Sequence, residues 1–143
     1  MSIAGAYDPD NVFAKILRGE LPAAVIAESE RTLSIMDAFP QTRGHCLVIP
    51  KAPSRNMLEM ARKDLSAVID QTQIVARAVL KAFDPDGIMV GQFNGAPAGQ
   101  TVFHTHFHII PRYSASAMHG HGQAPQADMA ELEKLAAQIK EQL

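Results

Sequence analysis

The chain has 143 residues, 47% of them hydrophobic, enough for one domain with a substantial core. Its formal net charge of −2, with no basic run, excludes a general binder of nucleic acid or of membrane surfaces. No apolar run reaches the roughly 18 residues that a membrane span requires, and the single cysteine excludes an internal disulfide.

The first residues, Met1 to Asp8, lack the basic and apolar regions of a secretory signal, so a cytoplasmic protein is expected. Asp10 reads as the N-cap of a short amphipathic helix with Val12, Phe13, Ile16 and Leu17 on one side. Gly19 stops it and Pro22 marks the turn away. Val25 to Ala27 and Thr32 to Met36 read as strands joined by a polar turn, with Asp37 at the end of the second. His45 to Pro50 is a strand too uniformly apolar for a wet edge, and Cys46 within it reads as a small buried hydrophobe.

Leu65, Val68, Ile69, Thr72, Val75, Ala76, Val79, Leu80 and Phe83 keep helical spacing and predict a main helix over about 62–83. Asp84-Pro85-Asp86-Gly87 ends it. Ile88 to Phe93 and Val102 to Ile110 read as the last two strands. Ser114 to Gln126 reads as a loose loop in which His119 and His121 are solvated. Asp128-Met129-Ala130-Glu131 fits a capping box, and Met129, Leu132, Leu135, Ala136 and Ile139 form an apolar stripe behind it. That last helix has two possible seats, its own domain or a partner subunit.

The expected fold is α+β with two layers: a mainly antiparallel five-stranded sheet, a short N-terminal helix, one long helix and a C-terminal helix. Residues 1–113 form the expected domain, and 114–143 a C-terminal loop and amphipathic helix.

Three of the six histidines, His104, His106 and His108, occupy every second position of the last predicted strand. On a strand that spacing puts them in a row on one face, about 7 Å apart, with Thr105, Phe107 and Ile109 turned to a core. Such a row suits either metal ligation or phosphate chemistry. Metal sites recruit a further carboxylate, imidazole or thiolate, and no residue near the run offers one. The small-residue loop Asn94-Gly95-Ala96-Pro97-Ala98-Gly99 instead lets a phosphate approach backbone N–H groups, with Gln100 and Thr101 beside it.

The segment Ala98 to Arg112, with Gly-Gln-Thr followed by His-x-His-x-His and two apolar residues, resembles the signature of the histidine triad (HIT) family. The likeness covers roughly residues 10–113. It implies that His106 is a nucleophile forming a covalent nucleoside monophosphate intermediate, that His104 and His108 support it, and that no metal or other cofactor is needed. Gly44-His45-Cys46-Leu47-Val48-Ile49-Pro50 resembles the family strand whose His stands beside the triad. By the same resemblance Asp37 binds the ribose hydroxyls, and Phe13, Ile16, Met36 and Ala38 line the base pocket. Asn94, Gly99, Gln100 and Thr101 contact the nucleotide or its phosphate.

The order of segments is most similar to the Hint branch, which implies a homodimer and hydrolysis of purine nucleoside phosphoramidates or related 5′-monophosphate adducts. A Fhit-like dinucleoside polyphosphate hydrolase and a non-catalytic nucleotide-binding protein are the alternatives. Many bacterial relatives carry a structural zinc held in part by Cys-x-x-Cys and a later His. The matching positions here are Asn11, Ala14 and Pro53, so no structural zinc is expected.

Overall fold

The computed structural model describes residues 3–143, so the first two residues of the expected domain lie outside the described residues. Helix α1 (Val12–Leu17) is followed by strands β1 (Val25–Glu28), β2 (Thr32–Met36) and β3 (Cys46–Pro50). Helix α2 (Arg62–Phe83), strands β4 (Gly87–Gly91) and β5 (Phe107–Arg112), and helix α3 (Met129–Lys140) complete the chain. The five strands form one sheet in the order β1-β2-β3-β5-β4, antiparallel at every pairing. This is the expected α+β architecture.

Alternation along the central strands sorts side chains to two faces. Cys46 and Val48 of β3 and Phe107 and Ile109 of β5 point to one face and are buried with Val68, Val75, Val79 and Phe83 of α2. Leu132, Leu135, Ala136 and Ile139 of α3 enter the same cluster, so the C-terminal helix sits on its own chain. Ile109 is fully buried there, worth about 2–3 kcal/mol against leaving it in water. On the opposite face Leu33, Ile35, Leu47 and Ile49 form a smaller cluster with Phe13 of α1. His108 is the cross-strand partner of Leu47 and so belongs to this second face.

Local chemistry differs from the sequence reading at the cap of α1 and at the start of β5, and agrees with it at the end of α2. Asn11, rather than Asp10, caps α1, its side-chain oxygen accepting from Ala14 N–H at 2.9 Å. The Asp84 backbone ends α2 in the left-handed region at φ 47°, where Pro85 then forbids continuation. Strand β5 begins only at Phe107, five residues later than expected. Residues 101–106 are drawn off the sheet by the 54–55 segment: Thr105 N–H donates to Ser54 O at 2.9 Å, and the Gln100 amide donates to Arg55 O at 2.7 Å. The chain therefore reaches the sheet along an irregular arc, and the histidines do not form a single row on one strand.

Candidate active site

The loop before the triad is shaped by its own hydrogen bonds. Gly99 sits at φ 105°, open to glycine and costly for other residues. Its N–H donates to Ala96 O at 2.9 Å, and Gln100 N–H donates to Gly95 O at 3.1 Å. The Gln100 side chain accepts from Gly95 N–H at 2.8 Å and donates to Arg55 O and Val102 O. Asn94 accepts from Met57 N–H at 3.1 Å and pairs with Gln92. Expected as nucleotide contacts, Asn94, Gly99 and Gln100 here spend these groups on holding the loop. Thr101 alone of the four lines the cavity described below, with its side chain exposed.

Each imidazole has one tautomer dictated by a partner that can only donate or only accept. His106 Nδ1 lies 2.7 Å from His104 O; a carbonyl only accepts, so Nδ1 carries the proton and Nε2 keeps its lone pair. Phe13 packs edge-on against this ring at 4.8 Å between centroids. His104 donates from Nε2 to Pro50 O at 2.8 Å, and its Nδ1 accepts from the Tyr7 hydroxyl at 2.6 Å. His104 is thus a fully paired, fully buried ring that props up its neighbour rather than facing the cavity.

A second chain of bonds runs through the other two. Gln41 N–H donates to His45 Nδ1 at 2.9 Å, so the His45 proton is on Nε2. That proton is directed at His108 Nδ1, 2.9 Å away. His108 must then carry its own proton on Nε2, which is buried and has no protein partner. A buried donor without a partner costs free energy unless something accepts from it. Burial holds all three rings neutral: it lowers the pKa of His106 to about 4, of His45 to about 3 and of His108 to about 2.

Asp37 completes the cluster. Its Oδ1 accepts from Phe39 N–H at 2.8 Å, and Oδ2 stands 3.2 Å from His45 Nε2. Burial raises its pKa to about 6. Asp37, His45 and His108 are close enough together to be weighed as cation ligands. The tautomers oppose that role, because the His45 nitrogen facing the others holds its proton while Gln41 N–H occupies the opposite one. Of the positions matching the zinc ligands of relatives, Asn11 caps α1, Ala14 is buried and Pro53 is exposed; none carries a thiol or imidazole.

A cavity of about 370 Å³ opens beside these groups, within the range for small-molecule sites. Phe13, Ile16, Met36 and Ala38 form apolar wall, and Asp37, His45, His106 and His108 supply its polar end. Cys46, next to His45, points to the other face; it is buried, and burial pushes its thiol pKa up, which suits packing and not nucleophilic attack.

His121 went unrecognised in the sequence. Read as solvated, it instead lines the cavity, donates from Nε2 to Gly99 O, and lies 4.8 Å from Phe93 and 5.5 Å from His108 between ring centroids. His119, by contrast, has an exposed side chain as expected. No local pattern marks His121, because its partners are 22 and 80 residues away.

Comparison with known proteins places this geometry. The chain is 40% identical over 102 residues to Protein hit of Bacillus subtilis, covering 71% of this chain and 70% of that protein. It is 37% identical over 101 residues to the adenosine 5′-monophosphoramidase hnt1 of Schizosaccharomyces pombe, covering 71% and 73% respectively. A crystal structure of a Hit-like protein from Bartonella henselae superposes with a TM-score of 0.91 at 43% identity, over 97% of this chain and 100% of that one. The HIT domain family matches residues 18–115, and with the arc of histidines beside the cavity this chain belongs to the HIT family.

Proposed function

We propose that the protein hydrolyses nucleoside 5′-phosphoramidates or related nucleoside monophosphate adducts through a covalent nucleotidyl intermediate on His106. The observation that carries this reading is the His106 ring itself. Its Nδ1 proton is tied to His104 O at 2.7 Å, and its Nε2 keeps a lone pair on a ring that lines a mostly apolar cavity. A neutral imidazole is a competent nucleophile, and burial keeps it neutral well below pH 6.5.

In the first step Nε2 attacks the α-phosphorus. A nitrogen–phosphorus bond forms, the bond to the leaving group breaks, and the leaving group departs with its electron pair and takes a proton from solvent. His108, its Nε2–H facing no protein acceptor, donates to a non-bridging phosphate oxygen as charge develops there. Thr101 offers its hydroxyl from the cavity wall. In the second step water attacks phosphorus and releases a proton to solvent, the bond to His106 breaks with its electrons returning to Nε2, and the nucleoside 5′-monophosphate leaves. Asp37 accepts from the ribose hydroxyls, and Phe13, Ile16, Met36 and Ala38 hold the base, a purine in this reading. The name of the S. pombe relative, an adenosine 5′-monophosphoramidase, supports the same substrate class.

The reading includes a homodimer. The single chain leaves Met89 and Val90 of the edge strand β4 exposed at 46% and 54%, and Ile69, Ile74 and Leu80 of α2 about half exposed. An apolar edge strand in water invites pairing with another copy. The expected compartment is the cytoplasm; among the described residues no helix is long and apolar enough to cross a membrane.

The stereochemical course at phosphorus tests the mechanism. With a substrate chiral at phosphorus, two successive in-line displacements give overall retention. Inversion means water attacks directly and overturns the covalent intermediate.

A further inference from the structure

The relay that fixes the His45 and His108 tautomers starts at one peptide, that of Gln41, in the irregular turn between β2 and β3. No strand ladder holds that turn. Gln41 is buried, and the tail grips it from two further sides. Its carbonyl accepts from His119 N–H at 2.9 Å, and its side-chain amide donates to His121 Nδ1 at 3.3 Å. His121 simultaneously donates from Nε2 to Gly99 O. One ring therefore bridges the turn that sets the relay to the loop that precedes the triad.

We propose that His121 is a positioning residue of this active site, acting through Gln41 on the tautomer of His108. The physical argument concerns which nitrogen bears a proton. With Gln41 N–H in line, His45 accepts on Nδ1 and donates from Nε2 to His108. His108 then carries its proton on Nε2, a buried atom with no acceptor in the chain, on a ring that lines the cavity. When the Gln41 peptide is free to turn away, Asp37 Oδ2, 3.2 Å from Nε2, is left to hold the His45 proton without that support, and part of the population carries it on Nδ1 instead. His108 must then donate its Nδ1 proton to His45, and its Nε2 is left as a bare lone pair. A lone pair repels phosphate oxygens where a proton would hold them. The tail thus protects the one unpartnered donor of the site from a position 80 residues downstream of Gln41 in the same chain.

The inference rests on the proposed nucleotidyl chemistry only for its effect on turnover; the tautomers belong to the resting protein. The test is therefore a long-range ¹H–¹⁵N correlation spectrum of the imidazoles in the full-length chain, paired with steady-state kinetics on an adenosine phosphoramidate. The native protein shows His45 and His108 protonated on Nε2. In His121→Ala the His108 signals move toward the other tautomer, and kcat falls about tenfold to a hundredfold with KM within about threefold. In His121→Gln, which can still donate to Gly99 O and accept from Gln41, both readouts return most of the way. Gln41→Ala, which breaks the same tie from its other end, reproduces the loss, and the double variant His121→Ala/Gln41→Ala is no worse than the poorer single.

Unchanged tautomers in His121→Ala overturn the inference and leave the His106 mechanism standing. So does a loss confined to KM, which makes His121 cavity wall only, or additive losses in the double variant. Inactivity of the native chain on every phosphoramidate with Nε2 tautomers intact strikes the proposed function and spares the positioning role.

Discussion

The two faces of the sheet cost their residues different things. Toward α2 and α3, Val48, Phe107 and Ile109 are sealed by two helices, and packing is all they do. Toward the site, a six-residue helix and an irregular loop are the cover, and His45 and His108 stand among Leu47, Ile35 and Phe13. The thinner cover leaves room for a ligand. It also buries polar rings, which is tolerable only because nearly every nitrogen is paired. The lesson is that reactivity here resides in the exceptions: His106 Nε2, with its lone pair, and His108 Nε2–H, with no acceptor. Adjacent residues on one strand, His108 and Ile109, therefore answer to different tests.

The largest effect belongs to the site face. His106→Gly lowers kcat by about ten thousandfold or more, while nucleoside monophosphate binding and the thermal midpoint stay near native; retained turnover breaks the distinction. His108→Ala lowers kcat by about a hundredfold to a thousandfold, the scale of one lost oxyanion donor. Ile109→Ala, one residue further and facing the other way, costs about 3 kcal/mol of stability through the cavity it leaves. Its kcat per folded molecule stays within about twofold, and a large fall in kcat would show that the faces are not separable.

The pH profile sharpens the same contrast. Burial lowers the His106 pKa to about 4 from 6.5, so the acid limb of kcat falls near pH 4–5; a limb at 6.5 would mean an exposed ring. Stability carries the same signature. His45, His106 and His108 all lie below 6.5 in the folded state, so the unfolded chain takes up protons first. Their contribution is fully present above about pH 6.5 and is lost progressively as pH falls through about 4 for His106, about 3 for His45 and about 2 for His108. Asp37 runs the other way: raised to about 6 from 3.8, it costs stability as pH rises through that window. Asp37→Asn accordingly raises the thermal midpoint by a few degrees at pH 7, the smallest effect of the set, and raises KM through the lost ribose contact; a lowered midpoint contradicts the burial argument.

Much of this layout is legible in the residues themselves. The apolar periodicity of α2 and the β1 and β2 segments match their observed extents closely, because local pattern and tertiary burial agree there. The triad and Gly44-His45 carry enough local identity to bring His45, His106 and His108 together before any coordinates. The start of β5 escapes such reading, since alternation through His104 and His106 imitates a strand that Ser54 and Arg55 pull apart from another part of the chain. Gln100 reads as a phosphate contact, and the staple it forms across its own loop has no local signal in the sequence. His121 is the hardest case: a histidine between two glycines in a polar loop says nothing of Gly99 or Gln41.

The most direct measurement is intact-protein and peptide mass spectrometry of the chain mixed with an adenosine phosphoramidate and quenched in mild alkali, where phosphoramidate linkages to histidine survive. The expected result is a gain of one adenosine monophosphate, mapped to His106 and absent from His106→Gly. Turnover with no adduct, or an adduct mapped to any other residue, contradicts the central claim that the free nitrogen of His106 is the nucleophile.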